Sequence, residues 1–179
     1  MCTICTLSIA FNVQHPRALS VAVATRAGID AGELDRRVPA LSGGLPHDER
    51  AEAIAALQGL QRRIENVLTP AELLALPDFF VLMIETRTWG FFHPTENGFS
   101  TDSSPEPPRA QADANGERDT IVLVSETAMR RFLAHRLSFR EAVERGWVVV
   151  DGEPLPSRTT HEALDRVYPL VGLSQFACA

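Results

Sequence analysis

Three cysteines, Cys2, Cys5 and Cys178, lie at the two ends of this 179-residue chain, the first two as a Cys-x-x-Cys pair. Two thiolates at that spacing can share one tetrahedral zinc or iron ion, and a third thiolate plus one imidazole would complete the shell. His15 and His161 are the candidate fourth ligands. Against a metal stands the lack of a second Cys-x-x-Cys, and free cysteine packs equally well as a small hydrophobe. Redox work by the pair is disfavoured, because no helix N-terminus follows to lower a thiol pKa. Cys2 has a further chemistry open to it. Removal of Met1 would expose it as an N-terminal nucleophile with its own α-amine as base, the arrangement of an N-terminal-Cys hydrolase.

Beyond the thiols, no nucleophile, base and orienting carboxylate fall into a catalytic pattern, and no catalytic residue is assigned. The five histidines, His15, His47, His93, His135 and His161, are widely spaced and sit at turns or helix ends, where solvated imidazoles are ordinary. Arg130, Arg131 and Arg136 read as the solvated side of a helix. The aromatic residues Trp89, Phe91, Phe92, Phe132 and Trp147 are expected to line one core or one pocket. Of these, Trp89, Phe91, Phe132 and Trp147 are the candidate ligand-binding residues, for an apolar small molecule.

The elements that must position these groups follow from periodicity. Thr6–Val13 and Ala18–Thr25 alternate, with Leu7, Ile9 and Phe11 on one face of the first and Leu19, Val21 and Val23 on one face of the second. With only Gln14 to Arg17 between them, they read as an antiparallel hairpin. Residues 28–44 read as loop. A helix opens at Asp48 with Ile54, Leu57, Leu60, Ile64, Val67 and Leu68 on one stripe, and Thr69 with Glu72 forms a capping box for a short second helix ending at Pro77. Phe79–Glu85 is a continuous apolar run, the pattern of a strand buried on both faces, and Thr88–His93 is expected to pair with it. Ser100–Asp119 is polar and rich in Pro, which predicts a mobile surface loop. Thr120–Val124 is a strand, Ser125 caps a helix, and Ser138 with Glu141 caps a short one closed by Gly146. Trp147–Asp151 is a strand ended by Gly152, and Thr159–Glu162 predicts a capping box for the final helix, lined by Leu164, Val167, Tyr168 and Val171. The sum is one α+β domain with an antiparallel or mixed sheet and helices mainly on one face.

Thr120 to Glu153, with Ser125 before one helix, Ala142 and Gly146 in and after the next, and Gly152 ending a strand, resembles the closing half of the sterol carrier protein type-2 fold. With Phe79–His93 supplying the preceding strands and the helix after Thr160 the last element, the resemblance spans residues 79–170. It implies a tunnel or cleft for an apolar ligand and no catalytic residues. Met1-Cys2 through Ala24 is faintly similar to the opening of N-terminal nucleophile amidohydrolases, which are longer and carry two stacked sheets.

Composition bounds the rest. Hydrophobic residues at 45% and charged residues at 22% are ordinary for a globular chain, which argues against wholesale disorder. A net charge of −6 repels duplexes and anionic surfaces, and no basic stripe with interleaved aromatics offsets it, so nucleic acid is not an expected partner. No apolar run approaches the ~20 residues of a membrane span. The first ten residues lack the basic start of a signal peptide, and three cysteines cannot all pair, so a reducing, cytoplasmic setting is expected. The first reading is a non-catalytic domain holding an apolar small molecule or a partner protein. The alternative is a zinc-, iron- or thiol-dependent protein built on Cys2, Cys5 and Cys178.

Overall fold

A computed structural model describes residues 15–36, 46–100 and 106–169. Its first element corrects the expected hairpin. Ala18–Asp30 is a helix, α1, and not a strand. The segment ALSVAVATRA alternates, but it also repeats at helical spacing through Val21, Thr25 and Gly28, the three positions that are buried. Alanine favours a helix, and only packing separates the two periods. The outcome divides the face a strand would have buried: Val21 is fully buried, while Leu19 and Val23 are 73% and 61% exposed. The other arm of that hairpin, Thr6–Val13, lies outside the described residues.

Helix α2 (Pro46–Val67) buries Leu57, Leu60 and Ile64 along the expected stripe. Helix α3 (Pro70–Leu74) begins at the expected capping box. Thr69 Oγ1 accepts from the Glu72 N–H, and the Glu72 carboxylate accepts from the Thr69 N–H at 2.9 Å. Strand β1 (Phe79–Met83) is buried at every position and lies at the centre of the sheet. Strand β2 (Thr88–Phe92) pairs antiparallel with it in the register Phe79 to Phe92. A small ladder of β3 (Pro94–Thr95) and β4 (Gly98–Phe99) folds back so that Phe99 meets Phe79 and Phe92 edge-on.

Strand β5 (Thr120–Val124) joins β1 in parallel, and after α4 (Glu126–Leu133) and α5 (Phe139–Glu144), β6 (Val148–Asp151) joins β5 antiparallel. The mixed sheet runs β2-β1-β5-β6. Ser125 and Ser138 cap α4 and α5 by accepting from the Ala128 and Glu141 N–H groups. Gly146, at φ +73°, ends α5. The Gly146 N–H donates to the Val143 carbonyl and that of Trp147 to the Ala142 carbonyl, a paired closure that a residue with a Cβ adopts only under strain.

The final helix, α6 (Pro154–Val167), also departs from expectation. It starts at Pro154, with Glu153 extended before it, so Thr159 and Thr160 lie inside the helix and form no capping box. Proline is tolerated in the first turn because its missing N–H has no partner there anyway, which lets the Pro-rich turn become the helix start. Thr159 donates instead to the Leu155 carbonyl, and Thr160 is buried.

The pleat assigns alternate residues to two layers. Phe79, Val81, Met83, Phe92, Val122, Val124 and Val148 face one way and pack with α2 to α6. Phe80, Leu82, Trp89, Ile121 and Leu123 face the other way, where Ala18 and Val21 of α1 and Ala110 pack on them. The result is a mixed sheet with helices mainly on one face, in one α+β body. No described helix is long and apolar enough to cross a membrane. Within the polar stretch after β4, residues 106–119 turn around Arg109, whose guanidinium lies 2.9 Å from Asp119 and 3.0 Å from Glu117.

Candidate functional site

The sheet separates the aromatic residues expected to share a pocket. Phe132 sits on the helical side against Phe139 and Tyr168, with ring centroids 6.2 and 5.1 Å away. Trp89 and Phe91 lie on the opposite side, both against Phe80. Trp147 is buried under α1, where its indole N–H donates to the Ala24 carbonyl at 3.2 Å. The four therefore form no common cavity, because neighbouring strand positions point to opposite faces. Phe91 borders a recess of about 360 Å³ shared with Asp78, Phe80 and Arg109.

Between sheet and helices, where a carrier tunnel would lie, the described residues pack closely. The recess bounded by Val122, Phe132, Phe139 and Tyr168 has about 10 Å³, less than one water molecule requires. Tyr168 is 3% exposed there, and burial pushes its phenol up to about 12.

A roomier concavity lies on the other side of the sheet. Between the N-terminal half of α1 and the end of β1, a groove of about 630 Å³ is bounded by Ala18, Leu19, Ala22, Leu82 and Ile84, with His15, Glu85 and Arg87 at its margin. Its floor is the sheet residue Leu82, 4% exposed, and one wall is the exposed stripe of α1. Arg87 occupies the β1–β2 turn at φ +53° and makes no ion pair among the described residues. Glu85 also lines the groove, and its carboxylate accepts from the Glu126 N–H at 2.9 Å, at the start of α4.

His15 closes one end of the groove. It is 4% exposed, and both ring nitrogens are engaged. Nδ1 accepts from the Arg17 N–H at 3.1 Å, so the ring proton sits on Nε2, which faces the Asp151 carboxylate at 3.4 Å. Arg118 and Arg17 approach the same carboxylate at 3.1 and 3.6 Å. Burial lowers the His15 pKa below 6.5 and prevails over the opposing pull of Asp151, with Arg17 and Arg118 adding to the decrease. The ring is a neutral strut between α1 and β6.

Cys2, Cys5 and Cys178 lie outside the described residues. Of their candidate partners, His15 is committed as above, and His161 stands edge-on to Phe139 on the helical side of the sheet. Among the described residues, no group of three or more His, Cys, Asp or Glu side chains is placed to hold a metal ion. The groove residues were missed from sequence because their signal, Ala18, Leu19 and Ala22 along one side of a helix, exists only once the segment is known to be helical.

No protein-family model matches the chain, and neither a curated protein nor a solved structure matches it.

Proposed function

We propose that this chain is a non-catalytic binding domain that holds an apolar small molecule with an acidic head in the groove between α1 and β1. The observation that carries the reading is the groove itself: about 630 Å³, within the ordinary range for small-molecule sites, with apolar walls and, at its margin, Arg87, which makes no ion pair among the described residues. The apolar body lies along Ala18, Leu19, Ala22 and Leu82, and Arg87 faces the acid. A binding role also suits His15, whose ring nitrogens are both occupied and leave no base for proton transfer.

Calorimetric titration with dodecanoate and with dodecanol tests this. Dodecanoate is expected to bind at one site. Ala22→Trp, at an exposed helix position that tolerates the larger side chain, fills the groove and weakens both ligands by about tenfold or more, a loss of roughly 1.4 kcal/mol. Arg87→Gln weakens dodecanoate and leaves dodecanol unchanged. If neither ligand binds, or if Ala22→Trp binds them as the native chain does, the reading is wrong.

A further inference from the structure

In a chain whose net charge is −6, four arginines line one concavity that shares no residue with the α1 groove. Arg36 comes from the segment after α1, Arg130 and Arg131 from the last turn of α4, and Arg136 from just beyond it, around a volume of about 280 Å³. Asp35 is the carboxylate in the lining, and it takes Arg131 at 3.3 Å. Arg36, Arg130 and Arg136 make no ion pair among the described residues. Arg109, Arg118, Arg140, Arg145 and Arg166 by contrast each reach a carboxylate, while Arg87 in the α1 groove, like these three, makes no ion pair among the described residues.

The placement is built by the backbone. At the end of α4, His135 adopts φ +55°, a conformation costly for a residue with a Cβ. Its N–H donates to the Phe132 carbonyl, and that of Arg136 to the Arg131 carbonyl at 2.9 Å, which turns Arg136 back beside Arg131. Arg130 is steadied by donating to the Thr127 hydroxyl at 3.4 Å, and that hydroxyl keeps its own proton for a further acceptor. The helix C-terminus attracts cations and accounts for residues in its last turn. It does not account for Arg36, which arrives from another element. Every basic residue of the chain is arginine, the side chain whose planar fork binds phosphate in bidentate fashion.

We propose that this concavity binds the phosphate group of a small soluble molecule, a phosphate monoester or a diphosphate. Several guanidinia against one carboxylate suit a multiply charged anion better than a single carboxylate ligand. The small volume and the acidic charge of the rest of the chain disfavour an extended polyanion.

Titration of the full chain with inorganic pyrophosphate at low salt tests the proposal, with Arg36→Ala/Arg136→Ala as the site variant and Arg158→Ala, an exposed arginine on α6, as the control. Circular dichroism checks that each variant is folded. Expected is saturable binding of a single pyrophosphate, weakened tenfold or more by the double substitution and unchanged in the control. Arg136→Lys keeps the charge but loses the fork, and falls between. Three results would overturn the proposal: no saturable binding, equal weakening by Arg158→Ala, or capture by phosphatidic acid vesicles with no binding of soluble phosphate.

Discussion

Gly28 lies in α1 directly beneath the indole of Trp147, and a methyl group placed there would stand 2.7 Å from Nε1 and 2.9 Å from Cε2 and Cζ2. Those separations are well inside van der Waals contact, so Gly28→Ala forces either the helix or the ring to move. The ring has little room, being 2% exposed, tied to the Ala24 carbonyl and held in place by the closure of α5. Overpacking of this kind costs about 1–3 kcal/mol, and a strained or lost indole hydrogen bond adds about 1. Alanine returns up to about 1 kcal/mol through helix propensity, which leaves a net loss of about 2 kcal/mol. For a chain of this length that lowers Tm by roughly 4–8 °C. Urea unfolding followed by far-UV circular dichroism measures the loss, and a change in Trp fluorescence reports the displaced ring. The decisive comparison is a cycle with Trp147→Phe, which lacks the crowding atoms. In that background Gly28→Ala is expected to be neutral or mildly stabilising. An equal loss in both backgrounds, or none in the native one, would refute the contact as the cause. The same contact positions α1, so under the proposed function Gly28→Ala is also expected to weaken dodecanoate binding in calorimetric titration.

Thr69→Ala removes the hydroxyl that accepts from the Glu72 N–H at the start of α3, while the residue 69 N–H still reaches the Glu72 carboxylate, and should cost about 1 kcal/mol in urea unfolding, with Thr69→Ser restoring most of it. His15 makes stability pH-dependent in a defined direction. Its folded pKa lies below the 6.5 of the free side chain, so the unfolded chain binds the extra proton first. The contribution is complete above pH 6.5 and declines as pH falls below it. Urea midpoints of the native chain should drop between pH 7.5 and 5.5, and His15→Gln should show a smaller drop. An unchanged pH dependence in the variant would place the proton elsewhere.

Local rules were sufficient wherever one residue decides one geometry. Thr69, Ser125, Ser138 and Gly146 act within a single turn of chain, through hydrogen bonds to backbone groups three or four residues away, and each stands where its type predicts. The apolar run of β1 likewise announces burial on both faces, because only the middle of a covered sheet accepts it. The sequence by itself thus determined the main strands and helices of residues 48–92 and 120–151, and the α+β class, but not the small β3–β4 ladder. Tertiary structure decided three things. It decided that Ala18–Asp30 is a helix, since alternation and helical spacing coexist in that stretch and only the fit of Val21 on the sheet and Gly28 under Trp147 separates them. It decided that Phe132 and Trp89 never meet, since which face a strand residue occupies depends on pairing register. And it decided both concavities, since Arg36 and Arg136, or Leu19 and Leu82, are distant in sequence and become neighbours only when α1 packs on the sheet and the segment after it reaches α4.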